Sequence, residues 1–154
     1  MSASVFVLHP VAEDDFEPML ALRTAAMRES LERVGRYTPE RSRERLRAAF
    51  TPEHMQHLAS PGGQRMGFVT VLPEGAGTLR LQHLYLHPDW QGSGIGAAVL
   101  ASVQDRARRE GAVLRVTALK HSNANRFYLR HGFVQTGDED VDVHYEWRAG
   151  EAVE

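Results

Sequence analysis

The stretch best equipped for chemistry is Gln91-Gly92-Ser93-Gly94-Ile95-Gly96, with three glycines in five residues between a strand pattern and a helix pattern. The first turn of a helix leaves backbone N–H groups without partners, and the helix dipole puts partial positive charge at the same end. A diphosphate can settle there and accept several N–H bonds. Glycines let the backbone approach closely and take positive φ. The dipole itself contributes only ~0.3–1 kcal/mol per exposed charge, so directed amide bonds must supply the rest. The same letters also fit a glycine-rich helix entry that binds nothing.

Two other phosphate-binding uses can be set aside. Gly92, Gly94 and Ala97 satisfy the G-x-G-x-x-A dinucleotide fingerprint. That use needs an acidic residue ~20 positions on, at the end of the next strand, to hold a ribose. The next strand ends Ala118-Leu119-Lys120 and carries no acid. The G-K-[ST] of a lysine phosphate loop does not occur.

Tyr128 and His83 are titratable side chains that can either take part in proton transfer or serve the core. The Tyr128 phenol can donate to a leaving group, or it can be a core aromatic like its neighbour Phe127. His83, with an unperturbed pKa of ~6.5, can take a proton directly or through water, or it can be a hydrogen-bonded structural histidine. Glu44 and His144 are more remote candidates for a base. The pairs His54/His57 and His83/His87 lack a third ligand at metal spacing, so no metal site is expected.

The elements that must position these residues follow from periodicity. Val5–Val11 alternates as a first strand. Asp14, with Glu17 three residues on, reads as the capping box of a helix. Phe16, Met19, Leu20, Arg23 and Met27 share helical spacing along it. Thr38-Pro39 starts a second helix running to about Phe50. Strands follow at His57–Ala59, Met66–Leu72 and Leu79–His87, separated by glycine turns. A helix is expected from Gly94 to Glu110, with Ile95, Val99 and Val103 on one stripe. Then come a strand over Leu114–Leu119, a short helix capped by Ser122, and two closing strands, Phe133–Thr136 and Val143–Trp147. The acidic turn Gly137-Asp138-Glu139-Asp140 joins those two.

The strand at Leu79 carries an irregularity. Leu79 and Leu81 share one face by the two-residue period, while Leu84 and Leu86 fall in the opposite phase. A β-bulge near Gln82-His83 returns both sets to one side. A strand buried on both faces would need no such device.

The bulk properties bound the rest. A chain of 154 residues with 42% hydrophobic and 25% charged residues suits one domain, 1–154, with a loosely ordered tail from about residue 149. The net charge of -2 offers no field for nucleic acid or an anionic membrane. Seventeen of the eighteen basic residues are arginine, four of them in the second helix, where a solvated face is the plain reading. There is no cysteine, which removes disulfides and thiolate catalysis. Neither a secretory signal nor a membrane span is read, and the expected location is cytoplasmic.

Two motifs together resemble the GNAT superfamily of N-acetyltransferases. Gln91-Gly92-Ser93-Gly94-Ile95-Gly96 is similar to its [R/Q]-x-x-G-x-[G/A] signature, and Leu84-Tyr85-Leu86-His87-Pro88 to the lead-in before it. Ala124, Phe127, Tyr128, Gly132 and Phe133 resemble its second motif, whose leading asparagine falls on His121 here. The resemblance implies a mixed α+β fold: a mostly antiparallel sheet of six to seven strands, splayed at the cofactor site, with about four helices. It implies acetyl-CoA as cosubstrate and a primary amine of a small molecule or protein as acceptor. The Gln91–Gly96 turn would hold the pyrophosphate. The segment Leu84, Tyr85 and Leu86 would pair with pantetheine, and Asn123 or Asn125, the latter preferred, would replace the missing asparagine contact. Tyr128 would be the acid, with His83 the candidate base. The acceptor would lie around Arg23, Met27, Tyr37 and His144. A non-catalytic acyl-CoA sensor on the same fold is the alternative. The closing strands leave an edge at which a second copy could pair as a homodimer.

Overall fold

The computed structural model describes residues 5–150, so most of the expected tail lies outside the described residues. Seven strands form one sheet in the order β1-β2-β3-β4-β5-β7-β6. They are β1 (Val7–Pro10), β2 (Met55–Ala59), β3 (Arg65–Pro73), β4 (Thr78–Leu86), β5 (Val113–Leu119), β6 (Val134–Glu139) and β7 (Asp142–Trp147). Four helices accompany them: α1 (Phe16–Arg33), α2 (Pro39–Ala48), α3 (Ile95–Glu110) and α4 (Asn123–Arg130). β4 and β5 are parallel, whereas β1–β2, β2–β3, β5–β7 and β6–β7 are antiparallel. This is the mixed, mostly antiparallel α+β architecture expected. The β4–β5 register runs from Thr78↔Val113 to Leu81↔Val116, although β4 itself continues to Leu86 and β5 to Leu119.

By contacts the chain falls into two compact units, each made of two stretches of sequence. The first combines Met1–Thr70 with His83–Val99, the second Val71–Gln82 with Leu100–Glu154. In the first unit, Phe16, Met19 and Leu22 of α1 pack with Leu46 of α2, Met55 of β2 and Phe68 of β3. Met19, Leu46 and Phe68 are fully buried, each contributing roughly 1.5–3 kcal/mol by removal from water. Thr38 caps α2 as its sequence predicts, its hydroxyl accepting from Arg41 N–H at 3.1 Å, with Pro39 in the first turn.

α1 begins differently from expectation. A 3-10 turn over Glu13–Asp15 precedes it, and the Asp15 carboxylate reaches back to Ala12 N–H at 2.8 Å. Asp15 also accepts from His57 Nε2 at 2.9 Å. That bond first, and the Ala12 bond second, hold its carboxyl below the ordinary range. Glu17, expected to close a capping box with Asp14, instead grips Arg43 of α2 through two bonds of 2.6 and 2.9 Å. A fork–fork pairing between neighbouring helices satisfies both oxygens, which a single backbone amide cannot.

β4 contains the slip that its leucines foretold. At the hairpin end Glu74 N–H donates to Thr78 O, and at the far end His87 N–H donates to Met66 O. Met66 to Glu74 is eight positions, while Thr78 to His87 is nine, so β4 carries one extra residue. The side chains narrow its place. His83 meets Thr70 and Tyr85 meets Phe68, where the hairpin-end register would offer Gln82 and Leu84. The extra residue therefore lies between Thr78 and His83. Opposite it the backbones come very close: a Cβ on Gly67 would sit 1.9 Å from Tyr85 O.

In the second unit Leu114, Val116 and Ala118 of β5 are buried, as are Val143, Tyr145 and Trp147 of β7. β6 is longer than expected. Gly137, Asp138 and Glu139 belong to the strand, and the turn is Asp140-Val141, with Asp140 at φ 49. A register shift between Gln135 and Gly137 absorbs one residue of β6 and lets the acidic segment pair with β7.

Candidate active site

The glycine turn stands where the sequence places it, in the first unit between β4 and α3. Pro88–Trp90 forms a 3-10 turn, with His87 Nδ1 accepting from Asp89 N–H at 3.1 Å. Ser93 Oγ donates to Trp90 O at 2.6 Å, and Gln91 Nε2 donates to Leu86 O at 2.8 Å, fastening the turn to the end of its strand. Gly92 and Gly94 take φ of 76 and 87, the left-handed region that a β-branched side chain strongly disfavours. Gly94 O accepts from Ala98 N–H at 3.1 Å, so Gly94 is the residue that opens α3. The amides of Ile95 and Gly96 then belong to the first turn, where no intrahelical carbonyl is available to them. Gln91, Gly92, Ser93 and Gly94 are exposed, and a Cβ on Gly92 would touch nothing within 4 Å. Open, positively polarised and built from backbone, the turn fits a bound pyrophosphate.

Next to it in the same unit, Leu84, Tyr85 and Leu86 are partly exposed. His83 is buried, with Nδ1 2.9 Å from Thr70 Oγ1 and its ring edge-on to Phe68. Burial pushes the His83 imidazole down to about 4, and the charge of Arg23 adds to the effect. At neutral pH this ring is neutral and a weak base. The candidate base is thus better suited to accept a hydrogen bond than to strip an ammonium of pKa ~10.

Arg23 itself is 7% exposed. Its Nη1 donates to Ser42 Oγ at 2.6 Å, and its guanidinium carbon stands 5.9 Å from the centre of the Tyr85 ring. Its position on the apolar stripe of α1 was the sequence signal for this burial. Thr70 and Ser42, both buried polar partners, carried no signal of their own.

Apart from Glu44, on α2 of the first unit, the remaining candidate acid, base and pantetheine residues lie in the second unit. Tyr128 is 6% exposed on α4, with its ring 5.2 Å from Phe133 and 6.1 Å from Tyr145. Asn123 is exposed at the start of α4. Asn125, the preferred pantetheine contact, has its amide committed elsewhere. Nδ2 donates to Leu119 O at 2.7 Å and Ser122 O at 3.0 Å, while Oδ1 accepts from Tyr145 O–H at 2.7 Å. Ser122 sits at the cap position of α4, yet its hydroxyl donates to Leu119 O instead of accepting from the helix. His144, the remote base candidate, is held between Thr117 Oγ1 at 2.9 Å and Glu139 at 3.2 Å. Glu44 is exposed on α2. Among the described residues no cluster of three or more histidines or carboxylates has metal-binding geometry. No helix among them is long and apolar enough to cross a membrane.

The acetyltransferase (GNAT) domain family matches residues 25–147, most of the chain. This chain belongs to the GNAT acetyltransferase family. Among curated relatives, it is 33% identical over 93 residues to N-acetyltransferase 8 of Rattus norvegicus, covering 56% of this chain and 42% of that protein. It is 40% identical over 58 residues to the aminoalkylphosphonate N-acetyltransferase of Salmonella typhimurium, covering 36% of this chain and 38% of that protein. The matches thus span about two fifths of these relatives' own lengths. Among solved structures, the PaiA N-acetyltransferase of Thermoplasma acidophilum, in complex with coenzyme A, superposes with a TM-score of 0.76 at 17% identity. That match covers 94% of this chain and 99% of that one. An acetyltransferase from Thermus thermophilus gives a TM-score of 0.73 at 21% identity, over 94% and 97%. At these identities the structures speak for the GNAT fold, and the family match speaks for acetyl transfer.

Proposed function

We propose that this protein is an acetyl-CoA-dependent N-acetyltransferase that moves the acetyl group to a primary amine by direct attack. The observation that carries the reading is the glycine turn at the head of α3, with Gly92 and Gly94 at positive φ and the chain exposed. Its family membership and the coenzyme A held by the similar PaiA enzyme support the choice of ligand.

In the reaction the amine nitrogen forms a bond to the acetyl carbonyl carbon, the carbon–sulfur bond breaks, and the sulfur leaves as a thiol. The amine must first lose its ammonium proton, and the departing sulfur must gain one. Backbone N–H at the bulged end of β4 would polarise the acetyl carbonyl. Tyr128 would donate to the sulfur. His83, neutral and fixed by Thr70, would accept a hydrogen bond from the incoming amine and orient it, with the proton passing to water. The side-chain contact to the pantetheine arm falls to the exposed Asn123, because Asn125 is already occupied within its unit.

The test has two parts. Calorimetry with coenzyme A should give heat and a single site, and a thiol-release assay with acetyl-CoA and a panel of amines should give turnover. Binding without turnover on any amine would turn the reading to a sensor; no binding would end it.

A further inference from the structure

Resting on that reading, we infer that the amine acceptor carries an acidic group, a carboxylate or a phosphonate, and that Arg23 is its anchor. A guanidinium has five N–H donors and keeps its charge in proteins. Burying it is costly unless an anion or a full set of acceptors receives it. Arg23 is 7% exposed, yet a single hydroxyl, Ser42 Oγ, receives one of its donors. The Tyr85 ring, 5.9 Å away, offers only its π face.

No carboxylate among the described residues lies within ion-pair distance of Arg23. Of the acids in and before α1, Asp15 is paired with His57 and Arg65, Glu17 with Arg43, and Glu13 with Arg47. The fully buried side-chain nitrogens and oxygens without a hydrogen-bond partner among the described residues are His57 Nδ1 and Glu74 Oε1. Arg23 is not one of them, so its free donors still reach solvent. The surroundings therefore hold positive charge with few acceptors to meet it. A planar fork with open donors is matched by two oxygens of one acid group. Arg23, Ser42, His83 and Tyr85 belong to the first unit, as do the glycine turn and the Leu84–Leu86 end of β4.

The experiment compares matched amines in the thiol-release assay: β-alanine and 2-aminoethylphosphonate, each against propylamine. The expected preference in kcat/KM for an acid-bearing amine is about 10²-fold, the usual scale for a charge pair that would otherwise be left unpaired. Which acid wins identifies the headgroup. Arg23→Gln should collapse that preference by about the same factor, expressed mainly in KM, while Arg23→Lys should retain part of it because the charge remains and the fork is lost. Calorimetry of β-alanine and propylamine on the coenzyme A-saturated protein reads the same discrimination without turnover, so failure of catalysis and failure of anion recognition are separable. Equal use of propylamine overturns the inference, and so does an Arg23→Gln enzyme with its preference intact. A loss of coenzyme A affinity in Arg23→Gln would also overturn it, by assigning the guanidinium to the cosubstrate.

Discussion

Two polar side chains in this molecule, the part-buried Asn125 and the buried Arg23, differ in how fully their partners meet them. Around Asn125 every strong partner is met: its amide serves Leu119 O and Ser122 O, and its carbonyl takes the Tyr145 hydroxyl. Around Arg23 the charge exceeds what Ser42 and Tyr85 can receive, and it adds to the burial that holds the neighbouring His83 neutral. A satisfied cluster holds elements together, here β5, α4 and β7. An unsatisfied one is poised for something that arrives later. The difference sorts asparagines and arginines into structural and functional roles better than residue type does.

Five substitutions test which residues serve the site and which serve the frame. Gly94→Val should have the largest effect, since a β-branched residue cannot settle at φ 87 and the amides of the turn would be re-aimed. Coenzyme A affinity should fall by on the order of 10²-fold or more while circular dichroism and Tm show a folded protein. Retained affinity by calorimetry would remove the turn from cosubstrate binding. Tyr128→Phe should lower kcat by about 10²-fold with coenzyme A affinity nearly unchanged, because only the proton is removed. Full turnover in a thiol-release assay would return Tyr128 to the aromatic core formed with Phe133 and Tyr145.

Asn125→Ala should destabilise by about 1–3 kcal/mol in urea unfolding, because it strands the Tyr145 hydroxyl and Leu119 O. Asn123→Ala, at an exposed position, should leave stability within about 0.5 kcal/mol and weaken coenzyme A instead. The reverse pattern would exchange their roles.

The last prediction concerns pH. His83 titrates at about 4 in the folded chain against an ordinary 6.5, so between those values the unfolded chain binds the extra proton. Stability therefore rises with pH across this window and is lost as pH falls from 6.5 towards 4, at about 1.4 kcal/mol per unit at most. His83→Gln should flatten the Tm profile over that window, and an unchanged slope would show that the ring is not held neutral.

Much of this was legible in the sequence because the signals were local. Helical and strand periods, the Thr38-Pro39 cap and the glycine punctuation all act within a few residues, and the structure follows them. Even the extra residue of β4 showed itself, since two pairs of leucines in opposite phase can share a side only through a slip. What the sequence concealed depended on distant partners. Glu17 left its own helix end for Arg43, and Asn125 was claimed by Tyr145, twenty positions away. A propensity knows which caps are available, and it does not know which competitor will be closer. The weak basicity of His83 was hidden for the same reason, as it arises from burial and from an arginine sixty residues earlier.

Gly67 sets a boundary on how this protein can change. Any side chain there would strike Tyr85 O and displace the stretch of β4 that carries His83 and Leu84. The β3 strand is therefore fixed at this point by the backbone that crosses it. A saturation library should show an intolerant column at position 67.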